Sequence, residues 1–246
     1  MPYKRIVSLV PSLTELLVDL GVTDSLKGRT RFCIHPKDEI ESIEIIGGTK
    51  NPNIDKIRAI KPDLVIANKE ENIKTDVEAI QEFSEVLVTD ISTIEDALFA
   101  IHFIAEKLNC MKEAEPLIRN VLSELDSISE FTPIQTAYFI WKDPWMSVGN
   151  DTYIHDVMET FSLVNVFGDQ KRYPTVTFEL LKEANPKLIL LSSEPFPFKE
   201  KHKTELQVYL PDSKIQLIDG EWFSWYGSRM LPSFKNLSKW RAGFSI

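Results

Sequence analysis

Apolar side chains recur along the middle of the chain at the spacing of two consecutive helices. Residues 94–108 have apolar positions three and four residues apart, and a second stretch with this spacing runs from 112 to 128. Alternating strands and helices on either side predict an α/β fold with mainly parallel sheets. The apolar runs that we interpret as buried strands lie at 5–10, 43–46, 64–67, 86–88, 137–140, 188–191 and 215–218.

This order of elements predicts three regions. We expect an N-terminal β/α lobe at 1–93, a helical connection at 94–132 and a C-terminal β/α lobe at 133–246. The connection is expected to include a single long backbone helix that acts as a rigid spacer between the lobes. Within the first lobe, Ser12 is predicted to cap the helix at 14–20, with Glu15 at the capping-box position.

The two predicted lobes share a detailed sequence feature. Residues 57–67 and 181–191 both read as the end of a helix, a proline stop and a buried strand. Glu70 and Glu194 follow these two prolines at the same distance. A repeat at this scale predicts two similar lobes with a cleft between them, and the alternative is a chance recurrence of a common helix-to-strand connection.

Composition and charge exclude several classes of protein. The 246 residues are 43% hydrophobic and 26% charged, as in an ordinary folded globular chain. A net charge of −9 argues against nucleic acid or an anionic membrane as the main partner, because both require a basic surface.

The sequence has no apolar stretch of membrane-helix length, and its start lacks the apolar segment of a signal peptide. We therefore expect a cytoplasmic protein from the sequence as given, or a periplasmic or cell-surface protein if the N-terminus has been trimmed.

Cations are concentrated in loops that follow the predicted strands, where parallel sheets bind their ligands. Arginine and lysine in such loops can bind a carboxylate or phosphate, and the alternative for each is a solvated surface charge. The candidates are Arg29, Arg31, Lys50 and Arg229.

Aromatic residues are concentrated in two further strand-end loops, 141–145 and 219–229. A tryptophan in a polar loop can provide a stacking surface for a ligand, although it can also cover an edge of the core. The candidates in these loops are Trp141, Trp145, Trp222, Trp225 and Tyr226.

Metal binding and catalysis have weaker support. Cys33 and His35 form a candidate metal pair, but a cysteine and a histidine in this spacing are only two ligands, and His35 also fits a turn before Pro36. We interpret Cys33 and Cys110 as free thiols, and no motif of a hydrolase, metalloprotease or phosphate-binding loop is present. An enzyme is therefore not expected.

Five sequence motifs, at 5–15, 47–49, 53–57, 61–66 and 219–223, are distinctive. In these motifs the sequence resembles the class III periplasmic binding proteins, specifically the cobalamin-binding and iron-siderophore-binding components of ABC importers. The resemblance extends over nearly the whole chain.

This resemblance implies a non-enzymatic substrate-binding protein with two lobes joined by one long helix. It implies that cobalamin (vitamin B12) or a related metal chelate, such as haem or a ferric siderophore, binds in the cleft between the lobes as the transported ligand, with no cofactor required. Trp222 and the 141–145 loop match one side of the ligand site of the cobalamin binders, and Phe32, Thr49 and Lys50 match the other. Thr49 departs from the vitamin B12-binding proteins, which have a tryptophan there.

The resemblance also implies partners. Family members dock on the permease of an ABC transporter through one surface glutamate per lobe, and the matching candidates are Glu70 or Glu71 and Glu194. We expect a monomer that binds no nucleic acid. The alternatives are a cytoplasmic carrier of a cofactor or metal, or a metal-dependent enzyme with the same two-lobe fold in which Cys33 and His35 are ligands.

Overall fold

A computed structural model describes residues 3–244 of the chain. These residues form two compact units, and the chain passes between them more than once. The first unit contains 3–91, Glu95–Ser123 and Tyr226–Leu231, and the second contains Ser92–Ile94, Glu124–Trp225 and 232–244. Within the described residues no helix is both long and apolar enough to cross a membrane.

A five-stranded parallel sheet forms the centre of the first unit, with the strand order β3-β2-β1-β4-β5. The inner strands β1 and β4 are buried along their whole length, as expected for a parallel sheet that is covered on both faces. The strands are β1 (Ile6–Ser8), β2 (Leu26–Arg29), β3 (Glu44–Ile45), β4 (Leu64–Asn68) and β5 (Val86–Thr89). The helices before the connection are α1 (Pro11–Asp19), α2 (Lys37–Ile40), α3 (Ile54–Ile60) and α4 (Lys74–Gln81).

A four-stranded parallel sheet forms the centre of the second unit, with the strand order β7-β6-β8-β9. Its core joins apolar residues of β6 and β8 to phenylalanines of the surrounding loops. The strands are β6 (Ile134–Phe139), β7 (Leu163–Asn165), β8 (Leu188–Ser192) and β9 (Lys214–Ile218). The helices after the connection are α7 (Tyr153–Thr160), α8 (Phe178–Ala184), α9 (Glu200–Tyr209), α10 (Glu221–Ser224) and α11 (Met230–Ala242). The predicted α/β fold with two parallel-sheet units is confirmed.

The sequence repeat corresponds to matching structure in the two units. Helices α3 and α8 are each seven residues long, and the five-residue strands β4 and β8 follow them after equal connections. Both helices end at a residue in the left-handed conformation, Lys61 with φ 53° and Asn185 with φ 44°. A side chain caps the start of each helix, from Asn53 and Thr177.

The connection contains two consecutive helices, as the spacing of its apolar residues predicted. Helix α5 (Ile94–Leu108) and helix α6 (Met111–Asp126) are separated at Asn109, whose φ of 56° interrupts the helical backbone. Most of both helices belongs to the first unit. Their action as a rigid spacer, and the domain boundaries at 93 and 132, stay predictions.

Two local predictions were wrong, and some helices were not predicted. Helix α1 begins at Pro11 with Val10 as its N-cap, because proline suits the first helical position, so Ser12 lies inside the helix and Glu15 is not a capping residue. Helices α2, α4 and α9 were not predicted. Residues 221–224 form the short helix α10 within a segment that was predicted as a loop.

Candidate functional site

Two of the predicted ligand-binding loops of the first unit lie against each other beyond the ends of β2 and β3. The Arg31 amide donates to the Gly47 carbonyl at 2.8 Å, and the Arg31 guanidinium carbon lies 5.4 Å from the centre of the Phe32 ring. A Cβ on Gly48 would lie 3.1 Å from Arg31 Nη2 and 3.3 Å from the Phe32 ring, so glycine permits this close approach. Phe32 is 51% exposed. Arg31 and Phe32 thus form an exposed cationic and aromatic surface, which we call the Arg31–Phe32 platform.

Thr49 and Lys50 lie in the same group of loops. The Thr49 carbonyl accepts a hydrogen bond from Asn72 Nδ2 at 3.0 Å, and Lys50 Nζ donates to the backbone carbonyl of Glu70. Asn72 Nδ2 also donates to the carbonyl of Leu9, which follows β1. The loops after β1, β3 and β4 are therefore fixed to one another by a buried asparagine that the sequence analysis did not identify.

Arg29 faces inward. It is buried, and its guanidinium donates to the carbonyls of Ile40 and Cys33, both at 2.9 Å. These bonds satisfy backbone acceptors of the loop before β3. Arg29 therefore stabilises the loop that carries Arg31.

Cys33 is buried in a group of hydroxyl side chains. Thr14 Oγ1 donates to its sulfur at 3.0 Å, and Thr30 Oγ1 lies 3.2 Å away. Burial raises the pKa of the Cys33 thiol, which favours the protonated form over the thiolate that binds metals. His35 is half-buried before Pro36. Across residues 3–244, no group of three or more histidine, cysteine or acidic side chains is arranged to hold a metal ion.

Arg229 forms an ion pair with Glu15 on α1. Its Nη2 lies 2.5 Å from Glu15 Oε1 and its Nε lies 2.8 Å from Oε2, the bidentate geometry that favours arginine. Burial raises the pKa of Glu15, and the Arg229 guanidinium opposes this shift. The neighbouring Tyr226 is buried, and Gly227 (φ 84°) packs against the backbone and side chains of α1.

In the second unit, Trp141 and Trp145 have different environments. Trp141 is 40% exposed and contacts the edge of Phe196 at 5.6 Å. Trp145 packs between the Phe139 and Phe198 rings of the core, at 5.2 and 5.5 Å. Trp141 therefore presents an aromatic surface to solvent, whereas Trp145 supports the loop from beneath.

Trp222 and Trp225 also differ. Trp225 is 6% exposed, and its indole nitrogen donates to Glu194 Oε1 at 2.7 Å. Trp222 is half-buried and lines a groove of about 400 Å³ with Leu217 and Trp240. Trp222 is therefore the more accessible residue of this pair.

The candidate docking glutamates occupy equivalent turns. The Glu70 amide donates to Asn68 Oδ1 at 2.8 Å, and the Glu194 amide donates to Ser192 Oγ at 3.3 Å. Glu70 and Glu71 are half-buried. Glu194 is half-buried as well, and desolvation raises its pKa above the usual range of a glutamate.

Phe196 is a further aromatic candidate that the sequence analysis missed. It lies in the loop after β8, contacts Trp141, and packs 4.8 Å from the Phe198 ring. The signal was present, because two phenylalanines alternate with prolines directly after a buried strand.

Similar proteins are known. The sequence model described as "Periplasmic binding protein" matches residues 6–209. The chain is 28% identical over 200 residues to the uncharacterized ABC transporter substrate-binding lipoprotein YvrC of Bacillus subtilis (strain 168). The aligned region covers 76% of this chain and 63% of YvrC, so the chain spans less than two thirds of that relative. It is 23% identical over 238 residues to the vitamin B12-binding protein of Pectobacterium carotovorum subsp. carotovorum (strain PC1), covering 93% of this chain and 84% of that protein.

A solved structure supports the same relationship at the level of the fold. The periplasmic heme-binding protein RhuT from Roseiflexus sp. RS-1 has a TM-score of 0.83 and 18% identity, over 97% of each chain. The match to the family model confirms the family resemblance inferred from the sequence motifs. The chain, matched by the family model over most of its length, belongs to the periplasmic binding protein family.

Proposed function

We propose that this protein is the substrate-binding component of an ABC-type importer and that it binds cobalamin or a related metal chelate, such as haem or a ferric siderophore. One observation carries the proposal: in each unit, exposed aromatic side chains lie in loops after the parallel strands, Phe32 beside Arg31 and Trp141 beside Phe196. Flat aromatic faces beside a guanidinium suit a large conjugated ligand with peripheral polar groups.

In the first unit, the Arg31–Phe32 platform would contact the ligand directly, together with Thr49 and Lys50. Of the cations predicted from the sequence, Arg29 is buried and Arg229 is paired with Glu15, whereas Arg31 is exposed and makes one longer bond to Asn51 Oδ1 at 3.3 Å. We therefore propose that Arg29 and Arg229 act by supporting the site, whereas Arg31 binds a peripheral carboxylate of the chelate.

In the second unit, Trp141 and Trp222 are the proposed stacking residues. Trp145 is partly buried and packs against the core, and Trp225 bonds to Glu194, so both are proposed to support these loops. Tyr226, which is buried in the first unit, has a similar proposed role. Binding of this kind requires no catalytic residue and no resident cofactor.

The function implies a permease partner. We propose that Glu70 or Glu71 provides the docking charge of the first unit, while docking by Glu194 stays a prediction because its carboxylate already accepts hydrogen bonds within the second unit. We propose that the protein works at the cell surface or in the periplasm; of its relatives, YvrC is a lipoprotein and RhuT is a periplasmic protein. The protein is proposed to work as a monomer.

A parallel titration with cyanocobalamin, hemin and a ferric catecholate tests the proposal. We expect saturable quenching of tryptophan fluorescence and an increase in melting temperature with at least one of the three. Trp141→Ala should weaken this binding about tenfold, since loss of one aromatic contact costs roughly 1–2 kcal/mol. Phe99→Ala is the matched control, because Phe99 is a 68% exposed aromatic residue on α5. Absence of binding by all three probes would refute the proposed ligand class.

A further inference from the structure

The short helix α10 depends on its surroundings for its position. A helix of four residues has too few internal hydrogen bonds to be stable alone. Its Phe223 side chain is fully buried and packs 4.9 Å from the Tyr138 ring. The preceding Gly220 donates its amide to Ser193 Oγ at 2.9 Å.

Glu194 holds the other end of this helix. Its Oε1 accepts hydrogen bonds from Ser224 Oγ and from the Trp225 indole nitrogen, both at 2.7 Å. Two donors from different residues therefore converge on one carboxyl oxygen. A Cβ on Gly220 would lie 2.6 Å from Glu194 Cγ, so the absence of a side chain at Gly220 allows the glutamate to reach α10.

Trp222 is the residue of α10 that faces away from these anchors. Phe223, Ser224 and Trp225 all make inward contacts, whereas Trp222 lines the groove beside β9. We propose that Glu194 is a positioning residue for Trp222: by binding Ser224 and Trp225, its carboxylate fixes α10 and so fixes the indole that stacks on the ligand. The part about stacking rests on the proposed function, whereas the fixation of α10 does not.

The two turns of the repeat separate a positioning role from a docking role. Glu70 stands at the equivalent position with an equivalent backbone turn, and its carbonyl accepts from Lys50; in the second unit the Glu194 side chain accepts from Ser224 and Trp225. A docking role depends on negative charge. A positioning role depends on an acceptor oxygen at the right place, which glutamine also supplies.

Two substitutions separate these roles. Glu194→Ala removes the acceptor, and we expect about tenfold weaker binding of whichever of hemin, cyanocobalamin and the ferric catecholate binds the wild type, as for loss of one or two net hydrogen bonds. Glu194→Gln removes the charge but retains the acceptor, and affinity should return to within about threefold of the wild type. Glu183→Ala, which removes an exposed acid from α8, is the control in the same unit.

Indole N–H resonances in a ¹H–¹⁵N spectrum report the position of α10 without any ligand. The Trp222 and Trp225 signals should shift or broaden in Glu194→Ala and stay close to their wild-type positions in Glu194→Gln. Ser224→Ala, which removes one donor and leaves Glu194 intact, should shift the same two signals and provides the test if the Glu194→Ala protein does not fold.

Unchanged Trp222 and Trp225 signals in both Glu194→Ala and Ser224→Ala would overturn the positioning role. Equal loss of ligand affinity in the alanine and glutamine variants would also overturn it. If the wild type binds none of hemin, cyanocobalamin and the ferric catecholate, the proposed function is refuted, while the resonance experiment still decides whether Glu194 fixes α10.

Discussion

Replacement of Arg229 by alanine tests whether this arginine stabilises the fold or binds the ligand. The sequence analysis predicted a ligand-binding cation, but in the structure its guanidinium makes a bidentate pair with Glu15. The two side chains are only 20% and 13% exposed. Arg229→Ala therefore leaves a largely buried carboxylate without its counter-ion.

The expected loss of stability follows from this burial. Removal of one partner from a fully buried ion pair costs about 3–5 kcal/mol. The residual exposure of this pair, and the ability of Glu15 to take up a proton, reduce the expected cost to about 2–3 kcal/mol. In a chain of this size that corresponds to a decrease in melting temperature of roughly 4–12 °C.

Scanning calorimetry at pH 7 measures the effect, with Arg31→Ala as the matched control. Arg31 is exposed, so its removal should change stability by less than about 0.5 kcal/mol while it weakens binding of an anionic chelate such as hemin. The stability difference between Arg229→Ala and the wild type should narrow on acidification, because protonation neutralises the unpaired Glu15.

Two results would refute this reasoning. An Arg229→Ala protein as stable as the wild type would show that the ion pair contributes nothing net. A large decrease in hemin affinity with unchanged stability would return Arg229 to the ligand site.

Three further predictions concern other buried groups. Gly220→Ala should destabilise the second unit by about 1–3 kcal/mol in urea unfolding, because its new Cβ would lie 2.4 Å from Ser192 Oγ; an unchanged midpoint would contradict the close approach. Burial raises the pKa of the Glu194 carboxyl in the folded state, so the contribution of this group to the free energy of unfolding is fully present below its unfolded pKa near 4.5. The contribution is lost as pH rises through the folded pKa, and this part of the pH dependence of stability should be absent in Glu194→Gln. Cys33 and Cys110 are buried with raised pKa values, so both should resist alkylation at pH 8 in the native protein and react in urea; rapid labelling of the native protein would show that the thiols are accessible.

The local pattern of the sequence was sufficient to predict the α/β architecture. Apolar runs between helical segments identified β4 and β8, and the recurrence of a proline stop before each correctly predicted two similar units. These signals are reliable because they depend on residues that are neighbours in the chain. Helix α9 was missed because its sequence has only a weak helical apolar pattern, whereas α4 was missed although its apolar residues do recur on one face.

The sequence alone also identified the loops that carry the candidate site, but it did not determine which side chains in them face outward. Arg29 and Arg31 have the same chemistry, yet one bonds to buried carbonyls and the other is exposed beside Phe32. Trp141 and Trp145 differ in the same way.

The decisive partners are distant in the chain. Arg229 meets Glu15 across 214 positions, and Trp225 meets Glu194 across 31. Composition and periodicity describe each segment by itself, whereas the partner of a polar side chain is selected by the packing of segments that only the tertiary structure brings together. The sequence therefore determined the main secondary-structure elements and the family. The tertiary structure decided which charged and aromatic side chains stay exposed and can bind a ligand.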